Sequence, residues 1–274
     1  MLRDGRDVTA LVRPGSEPWR LEGLDVDVAE ADVREQIPGG FELVFHLAAH
    51  GAYSWQDDEA AIHETNVHGT RNALSAGERV VVAGSSSEYG PKPYAPGEDE
   101  PLEPNSAYAA AKAVATADAL ERGAVVLRLY SAYGPWEEAN RLVPTLLSRA
   151  LEGELPPLVS PTIARDFVHV DDVCEAFVLA AGAEPGRVYN VGSGRQTTVA
   201  EIVEAARQLL ALEAEPHWGS MPDRVWDTET WVANPERIKR ELGWQPQIGL
   251  EDGLRWTLDW LRSEAPRGRY GLPA

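Results

Sequence analysis

The sequence contains little cysteine and little positive charge. Cys174 is the one cysteine, which excludes an intramolecular disulfide and a cysteine-rich metal site. Twenty-five lysines and arginines stand against 44 aspartates and glutamates, so the net charge is −19 and binding to nucleic acid or to an anionic membrane is disfavoured. Cys174 lies in an apolar helical pattern, which predicts a buried, inert thiol.

Long hydrophobic runs are also missing. The apolar runs, such as residues 80–83 and 125–129, are far shorter than the ~18 residues that a membrane-spanning helix needs. No basic segment followed by an apolar one opens the chain as a leader would. We therefore expect a soluble cytoplasmic protein with no membrane partner. With 43% hydrophobic residues over 274 positions, a packed core is expected.

Up to about residue 130, short β-branched runs alternate with longer stretches of helical period, which is typical of βαβ units and a parallel sheet. We predict an α/β fold with a doubly wound, Rossmann-like parallel sheet and a smaller, mostly helical domain. The predicted strands are residues 8–12, 24–26, 43–47, 80–83, 125–129 and 188–191. The predicted helices are residues 57–74, 106–120, 142–151, 199–212, 235–242 and 250–261.

The beginning of such a sheet is expected to be missing. A Rossmann-type half begins with a strand, a glycine-rich turn and a helix whose N-terminal amides hold a dinucleotide pyrophosphate. Residues 1–7 instead fit the end of that helix and its exit loop, and the sequence contains no G-x-G-x-x-G motif. Roughly 20 to 25 residues of the usual unit, the first strand included, are therefore absent from the pattern. Three explanations of this absence stay open. The start site is misassigned, the sequence is a fragment of a longer protein, or the protein has lost dinucleotide binding.

Tyr108 and Lys112 carry the clearest chemical signal. A spacing of four on a helix places both side chains on one face. A phenol is a poor acid–base catalyst at neutral pH, but a nearby ammonium group favours the phenolate and lowers the phenol pKa. Tyr108 is thus a candidate for proton transfer beside a hydride transfer. The chain has eight tyrosines and three lysines, so coincidence remains an alternative that context must decide.

That context is a serine-rich segment after the predicted strand 80–83. Ser85, Ser86 and Ser87 lie where the strand ends, and ligands of open α/β sheets bind at the carboxyl ends of the strands. A serine hydroxyl there can hydrogen-bond a substrate hydroxyl or ketone and share its proton with Tyr108. A polar turn of small residues is the alternative interpretation.

Further segments along nearly the whole chain resemble the extended short-chain dehydrogenase/reductase family, specifically its nucleotide-sugar epimerases, dehydratases and 4-ketoreductases. Ser85, Tyr108 and Lys112 match the catalytic serine, tyrosine and lysine of that family. The other segments similar to family motifs are residues 45–49, 66–70, 128–135, 165–173, 189–193 and 242–246.

The resemblance implies a role for each matching residue. Tyr108 and Lys112 also contact the cofactor, Lys112 through the nicotinamide ribose. The other cofactor positions are Arg13, Asp27, Val28, Leu47, Ala48, Ala49, Asn66 and Tyr130. The substrate positions are Ser85, Ser86, Ser87, Ser131, Arg165 and Arg224, of which the two arginines match a clamp for the diphosphate of a nucleotide sugar. A surface salt bridge is the alternative for each arginine.

Departures from the family pattern narrow the chemistry. Family 4,6-dehydratases carry an acidic pair at the positions of Ser86 and Ser87. Glu88 lies one place further along the chain. If this segment is extended, as we expect, the shift of one residue turns the Glu88 side chain to the opposite face. This argues against dehydration. Ser131 stands where many relatives have asparagine.

The end of the predicted strand 8–12 bears on the cofactor. Arg13 stands there instead of the acidic residue that binds the ribose of NAD. Because an arginine can accommodate a 2′-phosphate, this favours NADP over NAD. An ordinary solvated arginine explains the residue equally well.

We therefore expect an NAD(P)-dependent enzyme that oxidises or reduces a sugar carbon of a nucleotide-diphosphate sugar, as a 4-ketoreductase or an epimerase. Residues 1–133 and 165–195 are expected to form the dinucleotide-binding domain, and residues 134–164 and 196–274 the substrate domain. The resemblance also implies a homodimer through the helices at residues 57–74 and 106–120. The six histidines show no spacing typical of a metal site, so no metal is expected. The alternative is a non-catalytic protein that binds sugar nucleotides and has lost dinucleotide binding.

Overall fold

The structure is a computed structural model that describes residues 5–222, 224 and 227–272. The chain divides into two compact units. The first unit comprises residues 1–90, 102–128 and 176–189, and the second comprises residues 91–101, 129–175 and 190–274. Within the described residues, no helix combines the length and the apolar character needed to cross a membrane.

Parallel strands and their crossover helices build the first unit. The strands are β1 (Thr9–Val12), β2 (Asp27–Glu30), β3 (Phe41–His46), β4 (Gly77–Ser85), β5 (Val125–Leu129) and β9 (Val188–Val191), the last two of which continue into the second unit. The helices are α1 (Glu59–His63), a π turn (Glu64–His68), α2 (Gly69–Ala73) and α3 (Ala107–Glu121), with 3-10 turns at Trp19–Leu21 and Ser86–Tyr89. The strand order is β3-β4-β5-β9 in one sheet, and β1 pairs with β2 in another.

The core of this unit lies between the larger sheet and its helices. β4 carries Val80, Val81 and Val82 at 5%, 0% and 1% exposure, so both of its faces are covered, as in a central strand of a parallel sheet. Val80 and Val82 pack with Ala119 of α3 and Val126 of β5. This packing brings the carboxyl end of β4 next to α3.

Short sheets and longer helices build the second unit. Its strands are β6 (Ser131–Tyr133), β7 (Ala164–Arg165), β8 (Phe167–His169) and β10 (Thr197–Thr198), paired as β6 with β8 in parallel and β7 with β10 antiparallel. Its helices are α4 (Leu142–Leu151), α6 (Val199–Leu210), α7 (Glu236–Leu242), α8 (Leu250–Ser263) and α9 (Arg267–Tyr270), and α5 (Val170–Ala180) passes from this unit into the first.

The α/β, Rossmann-like prediction is confirmed, and three local predictions are wrong. The strand expected at residues 24–26 lies at Asp27–Glu30, because its sequence D-V-A-E contains too few apolar residues to stand out and pairing with β1 determines it. The helix expected at 57–74 is interrupted by the π turn. Cys174 is exposed, because the buried positions of α5 lie on its other face. Residues 1–4 of the expected N-terminal helix end lie outside the described residues.

His46 makes the first unit sensitive to acid. It is 5% exposed, its Nε2 lies 3.0 Å from Thr70 Oγ1, and burial, with a contribution from Lys112, lowers its pKa from 6.5 to about 4. The unfolded chain therefore binds one more proton between these two pKa values, so stability is lost as the pH falls through that window.

We expect wild-type protein to lose about 2 kcal/mol of unfolding free energy through His46 between pH 7 and pH 5. His46→Gln does not titrate and should lose correspondingly less. Urea unfolding at the two pH values measures the difference, with His217→Gln at an exposed site as the control. The same pH dependence in wild type and His46→Gln would contradict the assignment.

Candidate active site

The serine-rich segment forms a tight turn at the carboxyl end of β4. Ser85 is the N-cap of the 3-10 turn, and its Oγ accepts a hydrogen bond from the Ser87 amide at 3.2 Å. In return, the Ser85 amide donates to Glu88 Oε1 at 2.8 Å, which completes a capping box. The Oγ atoms of Ser85 and Ser87 lie 2.7 Å apart. The expectation of an extended segment here is therefore wrong.

Glu88 is the centre of a buried network. Its side chain is fully buried, and its carboxylate also accepts from Thr116 Oγ1 of α3 at 3.0 Å and from Arg128 Nε of β5 at 2.8 Å. Arg128 Nη1 donates to the Tyr89 hydroxyl at 2.9 Å. Burial by itself lowers the pKa of Arg128, but Glu88 and Tyr89 outweigh it and the net direction is upward. Glu88 thus fixes the turn to α3 and β5 and presents no carboxylate to a substrate.

A glycine closes the turn. Gly90 has φ +66°, in the left-handed region, and a Cβ there would collide with the Glu103 carbonyl. The Glu103 amide in turn donates to the Tyr89 carbonyl at 3.2 Å. The close approach of these two backbone segments therefore requires glycine at this position.

Helix α3 places Tyr108 and Lys112 on its inner side. Ser106 caps the helix by accepting from the Ala109 amide at 3.1 Å. Lys112 is 2% exposed, and its Nζ donates to the carbonyl of Ala83, near the end of β4, at 2.5 Å. Burial lowers the pKa of Lys112 from 10.5 to about 8, although the Glu88 carboxylate opposes this effect. Lys112 is thus a buried cation at the carboxyl edge of the sheet.

Tyr108 is half-buried one helical turn before Lys112. It packs against an apolar cluster made by Ile62 of α1, Val67 of the π turn and Ala111 of α3. The side chains of Ser85, Tyr108 and Lys112 all belong to the first unit, on β4 and α3, which contact each other.

The expected cofactor positions of the first unit lie at strand ends and are mostly exposed. Arg13, directly after the carboxyl end of β1, is exposed. Asp27 and Val28 are also exposed, but they begin β2 opposite Thr9 and Ala10, at the other end of this strand pair. Directly after β3, Leu47 is 60% exposed. Ala48 is half-buried and Ala49 is exposed. Leu47 and Ala49, directly after the carboxyl end of β3, are thus open to contact with a ligand.

Asn66 supports this edge from within the protein. It is fully buried, and its Nδ2 donates to the carbonyls of His50 at 2.6 Å and Ile62 at 2.9 Å. The His50 amide donates back to Asn66 Oδ1 at 3.3 Å. The side chain therefore holds the loop that follows Ala49, so direct contact of Asn66 with a cofactor would require breaking these bonds.

The expected substrate positions of the second unit include two arginines that one carboxylate joins. Asp227 Oδ1 accepts from Arg165 Nη2 at 2.6 Å, and Asp227 Oδ2 accepts from the backbone amide of Arg224 at 2.8 Å. Burial lowers the pKa of Arg165, Asp227 raises it, and Arg141 and Arg224 lower it further. Three arginines therefore lie close enough to interact electrostatically, and sequence reasoning did not identify Asp227 as their partner.

Tyr130 and Ser131 belong to the second unit and follow directly after β5. Tyr130 is 8% exposed, and its amide donates to the Val191 carbonyl at 3.0 Å. Ser131 is half-buried, and its amide donates to the Asp166 carbonyl at 2.9 Å. These backbone bonds fix both residues at the carboxyl end of β5.

Removing Arg128 should strongly destabilise the protein, because it leaves the Glu88 carboxylate buried without its cation. We expect Arg128→Met to lower the unfolding free energy by about 3–5 kcal/mol. Arg149→Met is the matched control, since Arg149 is 54% exposed in its ion pair with Glu152 and should change stability by less than about 1 kcal/mol. Equal losses in the two variants, measured by urea unfolding, would show that Glu88 and Arg128 do not organise the turn.

Comparisons with known proteins agree with this geometry. The sequence profile of the NAD dependent epimerase/dehydratase family matches residues 1–192. A dTDP-glucose 4,6-dehydratase of Streptomyces griseus is 34% identical over 272 residues, covering 93% of this chain and 80% of the relative. A UDP-glucose 4-epimerase of Mycolicibacterium smegmatis is 31% identical over 277 residues, covering 90% of this chain and 84% of the relative.

A solved structure shows the same architecture. DesIV, a dTDP-glucose 4,6-dehydratase of Streptomyces venezuelae crystallised with NAD bound, superimposes with a TM-score of 0.85 at 27% identity. The match covers 96% of this chain and 88% of DesIV. The chain therefore belongs to the NAD dependent epimerase/dehydratase family, within the nucleotide-sugar group of the extended short-chain dehydrogenases/reductases.

Proposed function

We propose that this protein is an NAD(P)-dependent enzyme that oxidises or reduces a sugar carbon of a nucleotide-diphosphate sugar, as a 4-ketoreductase or an epimerase. The observation that carries the proposal is the buried Lys112, one helical turn from Tyr108 and bonded to the Ala83 carbonyl at the sheet edge where ligands of α/β folds bind. The relatives named for activity on dTDP-glucose and UDP-glucose support the substrate class.

In this proposal Tyr108 is the proton-transfer group. The Lys112 ammonium favours the phenolate of Tyr108, so the phenol can exchange a proton with the sugar oxygen near neutral pH. Ser85 contributes a hydroxyl to the same oxygen, and the capping box fixes the backbone that carries it. We assign Ser87, which is half-buried with its Oγ 2.7 Å from that of Ser85, to the same substrate edge, together with Ser86, which is 6% exposed.

The same turn argues against dehydration as the reaction of this chain. Elimination of water needs an acid and a base beside the sugar, and the positions expected for them are Ser86 and Ser87. Glu88 is the one carboxylate of the turn, and its two oxygens are taken by Ser85, Thr116 and Arg128. Oxidation and reduction need no such pair, which favours an epimerase or a ketoreductase.

The cofactor positions fit a nicotinamide dinucleotide in part. When bound, its nicotinamide ring supplies or accepts the hydride. Lys112 would hold the nicotinamide ribose, and the exposed Leu47 and Ala49, with the half-buried Ala48, would line the ring side, with Asn66 holding their loop. Asp27 and Val28 begin β2 at the end away from Arg13, so the structure does not support the adenine contact expected for them. The exposed Arg13 can meet a 2′-phosphate, which favours NADP over NAD. A glycine-rich pyrophosphate loop does not occur in the sequence.

The second unit supplies the groups that we assign to the nucleotide-sugar substrate. Arg165 and Arg224 would bind the diphosphate. Asp227 orients the Arg165 guanidinium and holds the backbone of Arg224. Ser131 would contact the sugar, and Tyr130 would lie beside the nicotinamide. We therefore assign dinucleotide binding to residues 1–133 and 165–195 and substrate binding to residues 134–164 and 196–274.

We also propose a homodimer through α1, the π turn, α2 and α3. The outer side of α3 exposes Ala110, Val114 and Ala117, with Val114 at 43% exposure, which makes an apolar stripe of small residues suited to close helix packing. A reducing, cytoplasmic compartment suits the exposed free thiol of Cys174.

Tyr108→Phe tests the chemistry directly. We expect kcat to fall about 10²- to 10⁴-fold, because the variant cannot transfer the proton, while calorimetric binding of UDP stays the same. Activity is followed as C4 epimerisation of UDP-glucose and dTDP-glucose by NMR and as NADPH oxidation with their 4-keto derivatives. Tyr94→Phe, at a tyrosine that is 49% exposed in the second unit, is the control. Full activity of Tyr108→Phe would overturn the proposal.

Fluorescence titration with NADPH, NADH and UDP tests the cofactor assignment. We expect NADPH to bind more tightly than NADH, and Arg13→Ala to remove that difference because it removes the charge that meets the 2′-phosphate. UDP binding without binding of either dinucleotide would instead support the alternative, a non-catalytic protein that binds sugar nucleotides. Equal NADPH and NADH affinities in wild type would contradict the preference for NADP.

A further inference from the structure

Two histidines and a glutamate meet on the helical segment between β3 and β4. His63 is the last residue of α1, and Glu64 and His68 are the first and last residues of the π turn. One ligand atom from each side chain lies within 4.8 Å of the others. None of the three has a role in the active site described above.

The π turn is the reason that these side chains meet. In an α-helix, residues five apart differ by about 140° around the axis and point in different directions. Here the Gly69 amide donates to the Glu64 carbonyl, a bond of the i→i+5 type that widens the turn. The His63 and His68 rings therefore lie 5.3 Å apart between centroids at an angle of 67°. Such turns are rare and often mark functional sites.

The donor set and its spacing suit a divalent transition metal. Two imidazoles and one carboxylate form a common three-ligand set for Zn²⁺, which leaves a fourth position for water. His68 Nε2 lies 3.8 Å from Glu64 Oε1. Tetrahedral ligation at the usual bond lengths requires about 3.4 Å between ligand atoms. His68 and Glu64 are 43% and 53% exposed, so side-chain rotation can close the remaining gap without moving the backbone.

The surrounding charges favour a cation at this point. Asp57, Asp58 and Glu59 precede the cluster, and all three are exposed. Among the described residues, Arg34 is an arginine close enough for Glu64 to affect its pKa. Its pKa is raised chiefly by the hydrogen bond and charge of Asp32, and only to a smaller extent by Glu64. Because Arg34 is paired with Asp32 at an N–O distance of 2.5 Å, Glu64 is left to face the two imidazoles.

We infer that His63, Glu64 and His68 form a binding site for a divalent transition-metal ion of the Zn²⁺ type. The π turn supplies the spacing, the two imidazoles and the carboxylate supply the ligands, and water completes the coordination. A bound ion bridges the two ends of the π turn, which contains Asn66, and so stabilises the segment that holds the loop after Ala49. The inference does not depend on the proposed oxidoreductase activity, although the π turn also belongs to the segment that we assign to the homodimer.

The test is calorimetric titration of untagged, metal-free protein with ZnCl₂ at neutral pH, together with the visible absorption of the Co²⁺ form. Cys174→Ser is the background, so that the exposed thiol cannot act as a ligand. We expect one ion per chain, a Co²⁺ spectrum typical of a low coordination number, and a rise in Tm with Zn²⁺. His63→Ala, His68→Ala and Glu64→Gln should each weaken binding at least about tenfold and remove the rise in Tm.

His217→Ala, at an exposed histidine of the second unit, is the matched control and should bind Zn²⁺ as the background protein does. Circular dichroism without metal confirms that each variant is folded. Glu64→Gln serves as a second test if a histidine variant disturbs the turn, because glutamine has the same size and shape as glutamate. The inference is wrong if the folded background protein binds no stoichiometric Zn²⁺. It is also wrong if the variants at residues 63, 64 and 68 bind as tightly as His217→Ala.

Discussion

The buried ion pair between Glu88 and Arg128 is the constraint on which the candidate active site depends. Removing two charges from water costs several kcal/mol for each ion, and the cost is offset only when the pair and its remaining hydrogen-bonding groups are all satisfied. Here the Glu88 carboxylate binds the Ser85 amide, Thr116 and Arg128 together. Because breaking any of these bonds would leave a buried polar group without its partner, the network holds the turn after β4 in this conformation and in this position against α3.

The same carboxylate acts on the chemistry at a distance. Burial lowers the pKa of Lys112 to about 8, and Glu88 is the charge that keeps it from falling further. Without that charge the pKa of Lys112 would be lower still, and its ability to favour the phenolate of Tyr108 would be weaker. Glu88 therefore serves the proposed proton transfer without touching a substrate. The buried carboxylate of Glu88 thus keeps the buried Lys112 charged.

The success of the sequence predictions follows the physical origin of each element. Residues 125–129, 142–151 and 188–191 were predicted with the observed bounds because buried strands and an amphipathic helix leave a strong apolar pattern. The strand Asp27–Glu30 leaves no such pattern, since it is formed by pairing with β1. The π turn leaves none either, because its helical residues read as a continuous helix in the sequence. The prediction that Glu88 lies on an extended segment is wrong, because a capping box makes this segment a 3-10 turn.

The motif at residues 165–173 explains why the family is clear from the sequence while the reaction stays a proposal. Asp166 accepts hydrogen bonds from the amides of Ser193, Gly194 and Ala233, and the Asp172 carboxylate accepts from the amides of Gln247 and Ile248. Both aspartates join distant backbone segments of the second unit, so their presence is tied to the fold. The proposed reaction depends instead on side chains of the turn after β4 and of α3, which make none of those bonds. Similarity across the whole chain therefore measures the shared scaffold, and the reaction has to be argued from that turn.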